Sequence, residues 1–286
     1  MKNWKEIIHQ QTFRYIDHTA KKEFASEPYT AMTSFAVDDA LATSASDGQS
    51  PPSVRLWVHP DTVVLGIPDL RVPNLEKGVR QLQYLGYHVV VRNSGGLAVV
   101  LDDGVLNISL VLPDVRHISI HDCYEAMVSL IKSMLSDVTN DIEAYEIVGS
   151  YCPGDYDLSI GGKKFAGISQ RRIKHAAAIQ IYLDVSGNSQ ARAAAVRDFY
   201  HVSVHGEVTK FAYPDVLPEK MASLSELLDI DLSVEDMKKR VLTTLQSLSS
   251  EIITPPFSEK EMHVFQTRMG QMKKRNEKIM ALLSGE

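Results

Sequence analysis

The spacing of apolar residues predicts several helices in the first half of the chain. Helical spacing occurs over residues 3–17 and 28–44, and again over residues 74–85, where Gly86 marks the end. The clearest amphipathic helix is predicted over residues 120–136, because six side chains of low polarity fall on one stripe. These six are Cys123, Met127, Leu130, Ile131, Met134 and Leu135.

Shorter apolar runs between turn residues predict β-strands. In the first half these runs cover residues 54–58, 62–67, 88–92, 97–101 and 106–112. Glycine-bearing turns separate the last three, which predicts a meander of neighbouring strands. In the second half the runs cover residues 143–148, 157–160, 164–168 and 176–185, with a Gly161-Gly162 hairpin turn between the second and the third.

The end of the chain is predicted to be mainly helical. A helix rich in Ala and Arg is expected over residues 188–200, and two more over residues 233–248 and 258–283. Ser233 and Ser258 stand at N-cap positions, each followed three places later by an acidic residue, as in a capping box.

These elements predict the domain organisation. The chain has no internal repeat, no low-complexity block and no long linker. We therefore expect one α+β catalytic domain over residues 1–221. A helical C-terminal extension over residues 222–286 is expected to pack on the same domain.

Composition narrows the classes of function. The chain has 286 residues and a net charge of −6, whereas a general nucleic-acid-binding protein is usually basic. No apolar run approaches the ~20 residues of a membrane span. The first ten residues lack the apolar core of a signal peptide, so a cytoplasmic location is expected. With two cysteines, a disulfide framework is not expected.

The two cysteines differ in their surroundings. Cys123 lies on the apolar stripe of its predicted helix, where a small buried side chain is expected. Cys152 lies in a loop between Gly149 and Gly154, which would leave it open to close approach by a substrate. From these residues alone, Cys152 is either a nucleophile or a structural loop cysteine.

A group of cationic residues follows Cys152 in the chain, and a nearby cation favours the thiolate form of a cysteine. The group consists of Lys163, Lys164, Arg171, Arg172, Lys174 and His175. Successive side chains of a strand point to opposite faces, so Lys163 and Lys164 cannot both face Cys152. Most of the group is expected to form a solvated surface.

Other kinds of site have weak support in the sequence. The turn NSGG at residues 93–96 is either an anion cradle or an ordinary tight turn. His117 and His121 stand four residues apart, but Asp122 is their only obvious companion as a metal ligand. A Gly-x-Ser-x-Gly nucleophile motif is absent. We therefore expect neither a metal site nor a serine hydrolase.

Two motifs in the same order resemble the lipoate–protein ligase and octanoyltransferase family, which shares its catalytic fold with biotin protein ligase. The first, VRNSGGLAVVLDDGVLNIS at residues 91–109, resembles the family's Arg-Arg-x-Gly-Gly-Gly-Ala, His-Asp and Asn-x-Ser/Thr elements. The second, DLSIGGKKFAGISQR at residues 157–171, is similar to the family's lysine hairpin and places Lys164 at the active-site lysine. SFAVDDAL at residues 34–41 resembles the helix that opens the domain, and the whole resemblance covers residues 34–204.

The chain departs from the ligase pattern at four positions. In the first motif, Asn93 stands where the ligases have their second Arg, and Leu97 stands where they have their third Gly. Leu101 stands at the position of the ligase His, and Tyr156 stands at the position of an Asn. These positions serve the acyl-adenylate in ligases, so the resemblance argues against ATP chemistry. Cys152, in the run GSYCPGDYD, is instead similar to the cysteine of the family's cysteine-dependent octanoyltransferases.

The resemblance implies mixed, largely antiparallel sheets with flanking helices, and an octanoyl transfer in protein lipoylation. The most similar branch takes octanoate from the glycine cleavage H protein and places it on lipoyl domains of 2-oxo acid dehydrogenases, with no cofactor. Cys152 would form a thioester, and the Lys164 ammonium would favour the thiolate and polarise the carbonyl. The expected acyl-binding residues are Arg92, Ser94, Gly95, Gly96 and Gly167, with aliphatic walls such as Val99, Ile108 and Ile168.

Three alternatives stay open at this point. A sister branch of the family takes octanoate from acyl carrier protein. An ATP-dependent lipoate ligase is disfavoured by the broken glycine motif and by Cys152. In a non-catalytic acyl-binding protein, Cys152 would be incidental.

Overall fold

The computed structural model describes the backbone of residues 4–284 and the side chains of residues 6–284. The helices are α1 (Trp4–Ile8), α2 (Ala31–Ser46), α3 (Leu75–Tyr84), α4 (Ile120–Leu135), α5 (Ser189–Val204), α6 (Leu224–Leu228), α7 (Val234–Leu248) and α8 (Glu259–Ser284). The strands are β1 (Gln10–His18), β2 (Glu23–Phe24), β3 (Glu27–Pro28), β4 (Ser53–Trp57), β5 (Thr62–Leu65), β6 (His88–Val91), β7 (Val99–Leu101), β8 (Val105–Leu112), β9 (Glu143–Ala144), β10 (Leu158–Ile160), β11 (Lys163–Ile173), β12 (Ala176–Asp184) and β13 (Ser249–Ile253).

The main sheet has eight strands in the order β13-β1-β4-β8-β12-β11-β10-β9. β1 pairs in parallel with β13 and β4, and every other neighbouring pair is antiparallel. The predicted α+β class, with mixed and largely antiparallel sheets, is therefore confirmed. The C-terminal segment is not only helical, because it supplies the edge strand β13.

Strands β5, β6 and β7 form a second, three-stranded sheet in the order β6-β5-β7. β5 lies in the middle, parallel to β6 and antiparallel to β7, whereas β8 belongs to the main sheet. The predicted meander of β6, β7 and β8 is thus wrong, although each strand forms. The short segment between β7 and β8 carries the chain from the small sheet to the main sheet. The 92–98 turn joins β6 to β7 within the small sheet.

Two apolar cores lie on opposite faces of the main sheet. One contains residues of α2, α3, α5, α8 and the small sheet, and the other contains residues of α1, α4 and α7. Strand alternation divides β8 between them, since Val111 faces the first core whereas Ile108 and Leu110 face the second. The first face therefore carries the small sheet and the 92–98 turn.

The predicted helix over residues 3–17 is wrong for most of its length. Residue 3 lies outside the described residues, α1 ends at Ile8, and β1 follows at once. Phe13 and Ile16 are buried on β1, between two parallel neighbours. Pairing with distant strands decides this conformation, and local spacing does not report that pairing.

The remaining predicted helices are confirmed, with small differences at their ends. Ser233 caps α7, and Ser258 and Glu261 exchange hydrogen bonds at the start of α8. The predicted strand at residues 143–148 is reduced to β9. α8 packs along α2. Across the described residues, none of the helices has the length and apolar character that crossing a membrane requires.

Candidate active site

The lysine hairpin is built as its sequence predicts. Gly161 and Gly162 both have positive φ, +58° and +73°, and join β10 to β11. Alternation along β11 then separates the two lysines. Lys163 is partly exposed and lies 3.5 Å from Glu226, whereas Lys164 points inward and is completely buried.

Lys164 lies against the loop that carries Cys152. Its Nζ is 2.8 Å from a carboxylate oxygen of Asp157, and it donates to the carbonyl oxygens of Tyr151 at 2.9 Å and Cys152 at 2.8 Å. The Asp157 carboxylate also accepts from the backbone N–H of Gly154. Lys164 is thus beside Cys152, as predicted, but its ammonium contacts the backbone of this residue.

Cys152 has a backbone conformation that is uncommon for a residue with a side chain. Its φ is +46°, in the left-handed region, and such strain is concentrated at functional sites. The side chain is half-buried, and the sulfur accepts hydrogen bonds from two donors. These are the backbone N–H of Leu97, with N···Sγ 3.1 Å, and Nη2 of Arg92, with N···Sγ 3.3 Å.

The 92–98 turn delivers both donors to the sulfur. Arg92 Nη2 also donates to the Leu97 carbonyl oxygen at 2.7 Å, which ties the guanidinium to its own turn. Gly96 has φ +105°, and a Cβ there would lie 2.2 Å from Arg92 Nη2 and 2.9 Å from Cys152 Sγ. Gly66 packs on the back of the turn, where a Cβ would lie 1.8 Å from the Gly96 carbonyl oxygen. The close approach of turn and sulfur therefore requires glycine at both positions.

A cavity of about 310 Å³ extends from Cys152 between the two sheets. Its apolar lining consists mainly of Phe35, Trp57, Val64, Val99, Leu101, Ile168 and Ile181. Val99 and Ile168 were expected there, whereas Ile108 belongs to the core on the other face of the sheet. Leu101 adds another apolar side chain to the wall.

The predicted acyl-binding residues gather around this cavity. Arg92, Gly95, Gly96 and Gly167 line it. Ser94 is not among the lining residues. Its Oγ lies 3.3 Å from the Oγ of Ser169, and Ser169 does line the cavity. At Gly167 a Cβ would lie 2.9 Å from the ring of Tyr182 on the paired strand β12, so glycine at this position leaves room for that ring beside the cavity.

The other candidate residues have structural surroundings. Cys123 is completely buried in the core of α4, and burial raises the pKa of its thiol. His121 Nδ1 lies 3.1 Å from the Tyr156 hydroxyl, and Asp122 completes the capping box of α4 with the N-cap residue Ser119. Among the described residues, no group of three His, Cys, Asp or Glu side chains is placed to hold a metal ion.

Three contributors to the site are absent from the predicted set. Asp157 had a signal, because it opens the lysine-hairpin motif as an acidic residue. Leu97 acts through its backbone N–H, which side-chain patterns do not report. Gly66 is brought to Gly96 only by the pairing of separated segments.

Comparisons with known proteins show the family of the chain. Residues 30–246 match the family model described as lipoyl protein ligase A/B catalytic domain. A protein of Oceanobacillus iheyensis named octanoyl-GcvH:protein N-octanoyltransferase is 60% identical over 277 residues, which cover 97% of this chain and 99% of that protein. A Listeria monocytogenes protein named lipoyl-GcvH:protein N-lipoyltransferase is 45% identical over 275 residues, covering 96% and 98%.

A solved structure shows the same fold. The bi-partite lipoate protein ligase of Thermoplasma acidophilum superposes with a TM-score of 0.65 at 19% identity, covering 92% of each chain. The ligase-like fold implied by the sequence motifs is therefore confirmed.

Proposed function

Because the chain belongs to the lipoyl protein ligase A/B catalytic domain family, we propose that it is a cysteine-dependent octanoyltransferase of the cytoplasm. It takes octanoate from a lysine of the glycine cleavage H protein, GcvH, and places it on a lysine of the lipoyl domains of 2-oxo acid dehydrogenases. The carrying observation is the position of the Cys152 sulfur, which receives two hydrogen bonds at an apolar cavity.

The proposed reaction has two halves. In the first, the Cys152 thiolate attacks the amide carbonyl of the octanoyl-lysine, and the carrier lysine leaves as an amine after taking up a proton. In the second, the amine of the acceptor lysine attacks the octanoyl thioester, releases Cys152 and gives up a proton. No net hydrolysis occurs, and the amide bond energy is conserved through the thioester.

The cavity would hold the acyl tail during both halves. Burial of an alkyl chain contributes about 0.8 kcal/mol per CH₂. Phe35, Val64 and Leu101 would contact the tail, and Gly95, Gly96 and Gly167 would admit its carbonyl end. We also assign Arg92 and Ser94 to this end of the acyl site.

Lys164 would support the reaction through its charge and its position. Its ammonium holds the Tyr151 and Cys152 carbonyl groups, which fixes the loop with Cys152 in its left-handed conformation. A buried positive charge beside this loop also favours the thiolate and the oxyanion. The paired carboxylate of Asp157 offsets part of that charge.

The donor assignment rests on relatives named for GcvH at 45% to 60% identity. It is tested by incubating the protein with octanoyl-GcvH and an unmodified lipoyl domain, and following both masses. We expect octanoate to leave GcvH, to appear on Cys152 when the acceptor is omitted, and to reach the lipoyl domain when it is present. If octanoate is transferred faster from octanoyl-acyl carrier protein than from octanoyl-GcvH, the assignment of GcvH as the donor is contradicted. An octanoyl-adenylate formed from ATP and octanoate would contradict the reaction.

A further inference from the structure

Arg92 is a buried cation with donor capacity to spare. The residue is 6% exposed, its Nη2 donates to Cys152 Sγ and to the Leu97 carbonyl, and its Nε has no hydrogen-bond partner among the described residues. An unpaired buried donor is costly, so such a group is expected to serve a substrate or an intermediate. The guanidinium also lines the acyl cavity.

Lys164, in contrast, has no N–H group left over. An ammonium carries three donors. Here they are taken by the carboxylate of Asp157 and the carbonyl oxygens of Tyr151 and Cys152, all within 2.9 Å. Lys164 can therefore act on the reacting atoms only by its charge and through the loop that it holds.

We propose that Arg92, together with the backbone N–H of Leu97, is the anion site of the reaction, and that Lys164 is a positioning residue. This assignment rests on the proposed function for its substrate. The same two donors stabilise first the Cys152 thiolate and then the oxyanion that replaces it. A planar guanidinium suits this task, because it keeps its charge and offers N–H groups in a fixed fork.

The negative charge moves over a short path in each half of the reaction. The free thiol first gives its proton to solvent and becomes the thiolate. As the C–S bond forms, the electron pair of the carbonyl π bond moves to oxygen, and the charge passes from sulfur to that oxygen. The Leu97 N–H and the Arg92 Nη2 then lose their acceptor at sulfur, and both can donate to the oxyanion. When the C–N bond breaks, the amine takes up one proton from solvent, so that the two proton transfers balance.

The test separates the thiolate from the acyl transfer. Iodoacetamide alkylation of Cys152 needs no carrier protein, and it reports the thiolate in wild type, Arg92→Gln, Arg92→Lys and Lys164→Gln. Octanoyl thioester formation from octanoyl-GcvH is measured on the same variants. Lys163→Gln is the matched control, because it removes one positive charge from the outer face of the same hairpin.

For Arg92→Gln we expect alkylation at pH 7 to slow by about tenfold. We expect thioester formation to slow by about 10²- to 10³-fold, the usual effect of losing an oxyanion donor. Arg92→Lys should recover most of the alkylation rate but little of the transfer, because the charge returns without the fork. Lys163→Gln should leave both rates within about twofold, as expected for a partly exposed charge that is paired with Glu226 on the outer face of the hairpin.

Wild-type alkylation in a folded Arg92→Gln protein would overturn the thiolate assignment, and wild-type transfer would overturn the oxyanion assignment. A larger loss of alkylation in Lys164→Gln than in Arg92→Gln would make Lys164 the principal cation instead. If Arg92→Gln does not fold, the Arg92→Lys variant tests the proposal. Transfer at the wild-type rate in Arg92→Lys would contradict the claim that the oxyanion needs the forked N–H groups of a guanidinium. A wild-type protein that forms no thioester would contradict the proposed function, while the alkylation comparison would still test Arg92.

Discussion

A completely buried ion pair joins Lys164 on β11 to Asp157 in the loop that follows Cys152, with 2.8 Å between Nζ and the carboxylate. The pair links the hairpin to the loop that contains Cys152. It also neutralises the positive charge of Lys164, which would otherwise be isolated in the core. Both side chains are needed, because removing one leaves the other charged, buried and unpaired.

Asp157→Asn is therefore expected to destabilise the protein by about 3–5 kcal/mol, as for a broken buried pair. Urea unfolding followed by circular dichroism measures this. The surface pair provides the control, since Glu226→Gln, which frees the partly exposed Lys163, should cost less than about 1 kcal/mol. If Asp157→Asn costs no more than Glu226→Gln, the pair does not stabilise the loop.

The two cysteines are expected to respond differently to substitution. Cys152→Ala should abolish octanoyl transfer, because no other described thiol faces the cavity. Cys123→Ala should retain transfer and lose about 1 kcal/mol or somewhat more of stability, the effect of a small void in the core. Transfer assays and thermal unfolding of both variants check this. An active Cys152→Ala protein would exclude the thioester mechanism.

Local patterns predicted most elements, and distant pairing decided the rest. The helices α3, α4 and α7 and the lysine hairpin carry their own periodicity, caps or turn glycines. β1 shows an apolar spacing compatible with a helix, and only its position between β13 and β4 makes it a strand. β13, with the sequence SSEII, is an edge strand whose polar residues gave no signal.

The candidate site divides in the same way. Cys152 and Lys164 are close in sequence, and a glycine-flanked loop and a hairpin mark their positions. Arg92 lies 60 residues before Cys152, and their contact depends on how the two sheets face each other. Sequence motifs placed Arg92 near the acyl group, but they could not show that its guanidinium touches the sulfur.

The 92–98 turn offers a matched pair of glycines for a test of its geometry. At Gly96 a Cβ would collide with Arg92 Nη2 and Cys152 Sγ at a φ of +105°, whereas at Gly95 it would meet nothing within 4 Å. We therefore expect Gly96→Ala to lower transfer by about tenfold or more, the effect of displacing groups that must be well oriented. Gly95→Ala should lower transfer less, because its Cβ enters open space at the cavity and leaves the contact between Arg92 and Cys152 in place. Equal rates in the two variants would mean that the close approach at Gly96 is dispensable.

Leu101 sets a limit on the acyl chain if the cavity holds the tail. Leu101→Phe fills space in its wall, so octanoyl transfer should fall by about fourfold for each CH₂ that is displaced. The rate of transfer from a shorter hexanoyl donor should fall less, so the ratio of the octanoyl rate to the hexanoyl rate should decrease. Val208→Phe adds the same group at a fully exposed position and should leave the ratio unchanged. An unchanged ratio in Leu101→Phe would place the tail elsewhere.

The last prediction concerns Asp69, which supports the 92–98 turn from behind. Its carboxylate accepts from the Gly66 N–H at 2.7 Å and from the Tyr200 hydroxyl at 2.8 Å, and the Tyr200 oxygen accepts from the Ala98 N–H. Burial raises the pKa of Asp69 from 3.8 to about 6. The folded protein therefore holds this proton more strongly than the unfolded chain does. The stability that Asp69 contributes is fully present below about pH 4 and is lost as the pH rises through about 6.

Asp69→Asn carries no titrating proton at this position. Between pH 4 and 6 the free energy of unfolding of the wild type should therefore fall relative to that of the variant, by at most about 1.4 kcal/mol per pH unit. Urea unfolding of both proteins at each pH measures the difference directly, and effects of other titrating groups cancel in it. Above about pH 7 the difference should become constant, because Asp69 is then ionised in both states. A difference that stays constant from pH 4 upward would mean that the carboxyl loses its proton equally readily in the folded and the unfolded protein, so that burial does not raise the pKa of Asp69.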